Sequence, residues 1–162
     1  MIVVYTPKML APPQGVSPST AKPEAVVRAW RATFGGLRLV EPTPVGRNEL
    51  LRAHQERYVD DVLALRTPNG FGNRCPRVAA SLAYTNGAML QAARIALDSQ
   101  TVVAAPCSGF HHAGWSFGHG FCTFNGLMVA ALALQSESPG LRVGILDYDY
   151  HYGDGTDDII DH

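Results

Sequence analysis

The chain has 162 residues, about one domain, and its 46% apolar and 17% charged content is globular rather than disordered. A net charge of −1 marks no nucleic-acid or membrane surface, and no apolar run reaches the roughly 18 residues of a membrane span. Three cysteines, Cys75, Cys107 and Cys122, fit neither a disulfide framework nor a CxxC zinc pattern, and no basic leader precedes the apolar start, so a reducing cytoplasm is the expected setting.

Ile2 to Tyr5 reads as a β-branched strand closed by Pro7, and Leu10 to Pro23 as a long Pro/Ser/Gly-rich surface loop. Pro23 suits the first turn of a helix carrying Val26, Val27 and Trp30 and ended by Gly35-Gly36. Leu37 to Val40 is a second short strand. Glu49 to Leu65 places apolar residues at Leu50, Leu51, Tyr58, Val59, Val62 and Leu63, the pattern of one or two short helices. A second loop runs from Thr67 to Pro76. Val78 to Leu97 is a long Ala-rich helical pattern with few charges, so it is expected to be mostly buried. Val102 to Ala105 is a strand, Phe124 to Leu134 another apolar helix stopped by Pro139-Gly140, and Val143 to Leu146 a strand leading into acidic residues. Thr156 with Asp157 and Asp158 reads as the start of a last helix.

Strands alternating with helices predict an α/β fold with a parallel sheet covered by helices on both faces. Such sheets bind ligands beyond the carboxyl ends of their strands. Two dense chemical motifs sit at such ends, which points to an enzyme.

The first follows the strand at Val102 to Ala105 and reads Cys107-Ser108-Gly109-Phe110-His111-His112-Ala113. Adjacent histidines in a Gly-containing loop can work as acid and base near neutral pH or as metal ligands, though a surface loop with two histidines is the plain alternative. The second is Asp147-Tyr148-Asp149-Tyr150-His151-Tyr152-Gly153-Asp154-Gly155. If the strand continues, Asp147, Asp149 and His151 share one face, and three such groups repel and desolvate one another unless a cation or proton lies between them. Carboxylate oxygen and imidazole nitrogen suit zinc, so a metal site is favoured over a solvated Asp-rich turn. A third segment, Gly118-His119-Gly120-Phe121-Cys122-Thr123-Phe124-Asn125, places glycines beside aromatics as a narrow apolar channel wall would, and Asn125 could anchor a loop.

Together, His111-His112-Ala113, Gly120-Phe121-Cys122-Thr123-Phe124-Asn125 and Asp147 through Gly155 resemble the histone deacetylase and acetylpolyamine amidohydrolase family, in order and separation. The upstream Leu50-Leu51-Arg52-Ala53-His54 and Tyr58-Val59-Asp60-Asp61-Val62-Leu63 are similar to that family as well. The resemblance implies the three-layer arginase/deacetylase fold, with residues 1–162 as the N-terminal half of a single deacetylase domain. It implies Asp149 and His151 as zinc ligands and His112 as the general base and acid toward the attacking water. His111 would be its electrostatic partner oriented by Asp147, and Asp154 would pair with His112. Asp147 would also help to hold a potassium ion. Phe110, Gly120 and Phe121 would line a tunnel for an acetylated amine.

Family members use two more groups, an Asp ligand and a carbonyl-polarising Tyr, from later loops than these motifs, so the catalytic site is expected to be incomplete within these residues. Where many members carry a substrate-gripping Asp, this chain reads Gly72-Asn73-Arg74-Cys75-Pro76, which favours a small acetylated amine or another acyl-lysine over a histone-like peptide. Two other readings stand beside the deacetylase. One is a non-catalytic fragment that binds metal or a partner. The other is an arginase-like ureohydrolase, which predicts a two-metal site richer in Asp. An open sheet edge is expected to drive homo-oligomerisation or another edge-pairing association.

Overall fold

A computed structural model describes residues 1–11 and 19–162. The expected loop from Leu10 to Pro23 lies largely outside the described residues, and its last part is already helical, with a 3-10 turn at Ser19–Ala21.

The β-branched start forms the central strand, β1 (Ile2–Val4). Val3 and Val4, whose side chains point to opposite faces, are both fully buried, as a strand covered on both sides requires. Strand β2 (Arg38–Val40) pairs with it in parallel through Ile2 with Arg38 and Val4 with Val40. Strand β3 (Val103–Ala104) pairs in parallel on the other side through Ile2 with Val103 and Val3 with Ala104, giving the order β2-β1-β3.

Helix α1 (Lys22–Thr33) connects β1 to β2 and carries Pro23 in its first turn, where a missing N–H costs no hydrogen bond. The amphipathic stretch that follows divides into α2 (Arg47–Leu50) and α3 (Glu56–Leu63). The long Ala-rich pattern is α4 (Pro76–Ser99), which reaches β1 and β3 through Ala88 and Ala92 beside Val4 and Met9. Gly87 lets it close on the loop before α2, since a Cβ there would stand 2.1 Å from the Thr43 carbonyl oxygen. Helix α5 (Gly126–Glu137) packs along α4 and buries Met128, Val129, Ala130, Ala131, Ala133 and Leu134, so it is apolar all round. It begins at Gly126 rather than Phe124, because Asn125 caps it by accepting the Met128 N–H. The last helix, α6 (Asp154–Ile160), begins two residues before Thr156. No helix among the described residues is long and apolar enough to cross a membrane.

One expected strand does not form. Val143 to Leu146 takes no regular secondary structure and pairs with no strand among the described residues, and Val143, Ile145 and Leu146 are 38%, 37% and 76% exposed. Its apolar pattern is that of a strand with neighbours on both sides, and the described residues supply neither. Beyond it, the expected continuation as a strand also fails. The Asp147 Oδ1 accepts the Asp149 N–H at 2.9 Å and the Asp149 Oδ1 accepts the His151 N–H at 2.8 Å, so the acids fold the backbone into successive side-chain-closed turns.

Candidate active site

Two loops and the start of α6 meet to form the site, and buried polar groups hold them together. His54 is 1% exposed and donates from Nδ1 to the Gly114 carbonyl at 2.8 Å, while its Nε2 accepts the Asn125 N–H at 2.8 Å. Asn125, fully buried, donates from its amide to the Ala113 carbonyl at 3.1 Å and to Thr156 Oγ1 at 3.0 Å, so it anchors the loop as its position suggested. The Thr156 N–H reaches the His111 carbonyl at 3.1 Å, and Asp158 accepts the Trp115 N–H at 2.7 Å. Gly155 sits so close to the Ala113 backbone that a Cβ would stand 2.4 Å from the carbonyl carbon. The His111-His112-Ala113 loop and the first turn of α6 are thereby fixed against each other.

That fixation aligns two His–Asp pairs. His111 donates from Nδ1 to Asp147 Oδ2 at 2.7 Å, and His112 donates from Nδ1 to Asp154 Oδ1 at 2.5 Å. The two rings lie 4.1 Å apart, with side chains only 11% and 16% exposed. Hydrogen bonds from the Asp149 N–H and then from His111 hold the Asp147 carboxyl below the usual carboxylate range. Burial pushes the Asp154 carboxyl up, but hydrogen bonds from His112 and His119 outweigh it and leave it lowered. Asp149 is lowered by the N–H and then the side chain of His151. All three are therefore carboxylates at neutral pH, which fixes the proton of His111 and of His112 on Nδ1 and leaves each Nε2 with a free lone pair.

Asp149 and His151 stand at the open side of this pair. Asp149 Oδ1 faces His151 Nδ1 at 3.1 Å and lies 4.0 Å from His111 Nε2, and the His151 ring meets that of His112 edge-on at 5.9 Å. At 3.1 Å the two atoms are within hydrogen-bond distance, and a carboxylate oxygen beside an imidazole nitrogen is a donor pair of the types that can hold a divalent metal. They are 52% and 69% exposed.

The substrate-lining expectations fall in different places. Phe110 is buried and packs against Gly126 at the start of α5, where a Cβ would approach its ring to 2.6 Å, so it forms the floor beneath His111. Gly120 takes a φ of +53° and lies over His112, whose Cδ2 would be 2.5 Å from a Cβ there. Phe121 is 42% exposed and meets Phe71 with ring centroids 5.8 Å apart. The structure thus brings His111, His112, Gly120, Asp147, Asp149, His151 and Asp154 together, keeps Phe121 at the rim and sets Phe110 below. Sequence reasoning gave no role to His119, which donates to Asp154 Oδ2 at 2.8 Å, nor to Phe71 or the buried His54. Glycines on both sides of His119 were the available signal.

His54 makes one prediction about stability. Burial pushes its imidazole down to about 4, below the ordinary 6.5, and protonated Nε2 would face the Asn125 N–H donor to donor. The unfolded chain therefore takes up this proton first. Stability is full above about pH 6.5 and falls as the pH drops toward 4, by on the order of 3 kcal/mol if the whole shift is expressed. Denaturant unfolding from pH 7 to 4 should show a steeper loss for the wild type than for His54→Gln. Equal slopes would assign the acid sensitivity to other groups.

Two His–carboxylate dyads beside further N and O donors make this cluster the candidate active site. The family model for the histone deacetylase domain matches residues 19–162, and the chain belongs to that family. A probable deacetylase of Methanothermobacter thermautotrophicus is 28% identical over 98% of this chain and 50% of its own length. Acetylpolyamine amidohydrolase 2 of Pseudomonas aeruginosa is 38% identical over 44% of this chain and 23% of its own. The crystal structure of the HDA15 HD domain superposes with a TM-score of 0.82 at 22% identity over 98% of this chain and 49% of that one, a likeness of fold. The three-layer deacetylase-like fold is therefore shared, and the chain spans about half the length of its full-coverage relatives.

Proposed function

We propose that these residues form the N-terminal half of a single zinc-dependent deacetylase domain, which removes acetyl or other acyl groups from acetylated lysine, polyamines or small amines. The observation that carries this reading is the pair of His–Asp dyads, His111 with Asp147 and His112 with Asp154, set directly beside the Asp149–His151 donor pair. Asp149 and His151 would hold the zinc, which when bound would supply a Lewis acid for the amide carbonyl and lower the pKa of a water toward neutral.

The chain's own residues do the rest. His112 takes the water proton on its free Nε2 and returns it to the leaving amine, while Asp154 stabilises the imidazolium formed between the two steps. His111, held by Asp147, lends a second imidazole to the developing charge. Asp147 keeps lone pairs beyond its two accepted N–H groups, and with them the place for a potassium ion that the family resemblance implies. Gly120 and Phe121 give the acyl-amine stem an apolar wall.

An assay with acetyl-lysine peptides and N-acetylpolyamines, before and after chelation, tests this. A domain completed around these residues should hydrolyse at least one class and lose activity on chelation. The 162-residue chain alone should turn over at least about 10²–10³-fold more slowly, the worth of a single missing oxyanion donor. Robust hydrolysis by the pure chain would overturn the half-site reading. A second reading, a fragment that binds metal or a partner without catalysis, is favoured by the exposure of Asp149 and His151 and would show zinc binding with no hydrolysis in either form.

We also propose that the isolated chain self-associates. The outer edge of β3 is unpaired among the described residues, and Val102, Leu146, Tyr148, Tyr150 and Ile160 are 63–96% exposed. A cavity of about 1110 Å³ between α5, α6 and residues 143–147 is lined by the apolar Met128, Leu132, Val143, Ile145 and Ile159 and also by Asp147, Asp149 and His151. Its apolar part suits covering by a second polypeptide. Light scattering should show mass rising with concentration. A monomer at every micromolar dilution would refute the proposal.

A further inference from the structure

Asp154 spends both of its oxygens on imidazoles, Oδ1 on His112 Nδ1 at 2.5 Å and Oδ2 on His119 Nε2 at 2.8 Å. One ligand atom from each of the three lies within 4.8 Å of the others, a convergence that no other group of three such side chains reaches among the described residues. His119 has no part in the reaction proposed above. It stands between two glycines, is 53% exposed, and stacks on His112 at 4.9 Å and on Phe117 at 5.7 Å.

We propose that His112, His119 and Asp154 form a second divalent-cation site, whose occupancy disables His112 as a base. Two imidazole nitrogens and a carboxylate oxygen suit zinc, cobalt or nickel. The 2.5 and 2.8 Å contacts, one to each Asp154 oxygen, hold protons, and the three ligand atoms, within 4.8 Å of one another, must settle at about 3.4 Å around a shared tetrahedral ion. The exposed, glycine-flanked His119 can give most of that movement. Asp147, Asp149 and Asp157 nearby add negative field that favours a cation.

The consequence follows from proton bookkeeping. In the cation-free site His112 carries its proton on Nδ1 and keeps the Nε2 lone pair. A cation on Nδ1 takes the electron pair freed as the Nδ1–H bond breaks, so the ring's single proton moves through solvent onto the Nε2 lone pair, and no proton is released. Nε2 then donates and cannot accept a proton from water. His119 shifts its own proton from Nε2 to Nδ1 in the same way. Loss of base function rests on the role proposed for His112, whereas cation binding does not.

Zinc titration of the full 162-residue chain carrying Asp149→Ala and His151→Ala separates this site from the primary one. Calorimetry should show one zinc per chain, and ring 15N spectra should show shifts at His112 and His119. Adding His119→Ala should weaken binding at least tenfold while leaving the thermal unfolding curve in place. No zinc binding in the double variant, or unchanged affinity without His119, would overturn the proposal. If the double variant does not fold, the wild-type chain decides. Zinc that shifts the His119 ring supports this site, and zinc that shifts His151 alone supports the primary site and removes this one.

Discussion

Turnover of a deacetylase domain completed around these residues is expected to fall about 10²–10⁴-fold in His112→Ala, with zinc at the Asp149–His151 pair unchanged. That loss corresponds to about 3–5 kcal/mol of transition-state stabilisation at 1.36 kcal/mol per decade. His112 is 16% exposed, held in one tautomer by the ionised Asp154, and stands edge-on to His151 without sharing its donor partner. It is therefore placed to move a proton and not to hold the zinc of the Asp149–His151 pair. Asp154→Asn should reproduce part of the loss, because an amide can accept as well as donate and no longer dictates which nitrogen of His112 carries the proton. Steady-state kinetics with metal analysis of each variant checks this. Near wild-type turnover in His112→Ala would remove the mechanism, and loss of the zinc held by Asp149 and His151 in it would make His112 a primary-site ligand instead.

Zinc occupancy at the primary site is expected to collapse in Asp149→Ala and in His151→Ala, with activity lost alongside it. Each substitution deletes one of only two primary-site donors that the described residues supply, and a site left with a single protein ligand falls far short of the three that open catalytic zinc sites use. Both side chains are half or more exposed and neither supports the core, so the fold should survive. Circular dichroism and metal analysis of the purified variants separate the two effects. Zinc found at the wild-type level in both variants would mean that the acidic turn is not the metal site.

The sequence made much of this legible because the signals were local. The β-branched run at Ile2 to Val4, the proline at the start of α1 and the Ala-rich period of α4 each specify an element by short-range sterics and burial. The motifs at His111-His112 and at Asp147 through Gly155 likewise name their chemistry by residue type. Two expectations failed, one for want of a neighbouring strand and one to a local competitor for the backbone. Val143 to Leu146 has a strand's composition, but a strand exists only with a hydrogen-bonded neighbour, and none is present among the described residues. Asp147 and Asp149 were expected along a continuing strand, yet their carboxylates capture the N–H groups two residues on and turn the chain instead.

The sequence by itself determined the parallel α/β class, the family motifs and the donor types at the site, since each is written in contiguous residues whose period or chemistry is self-contained. Only the tertiary structure decided the pairing of those donors. That His111 meets Asp147 across 36 residues, that His112 meets Asp154 across 42, and that Asp154 is shared with His119 depend on how two loops dock against the first turn of α6. That docking is set by the buried His54 and Asn125 and by the absence of a side chain at Gly155. Hydrogen bonds between groups so far apart in sequence form only after the core has closed, so their geometry leaves no periodic trace in the sequence.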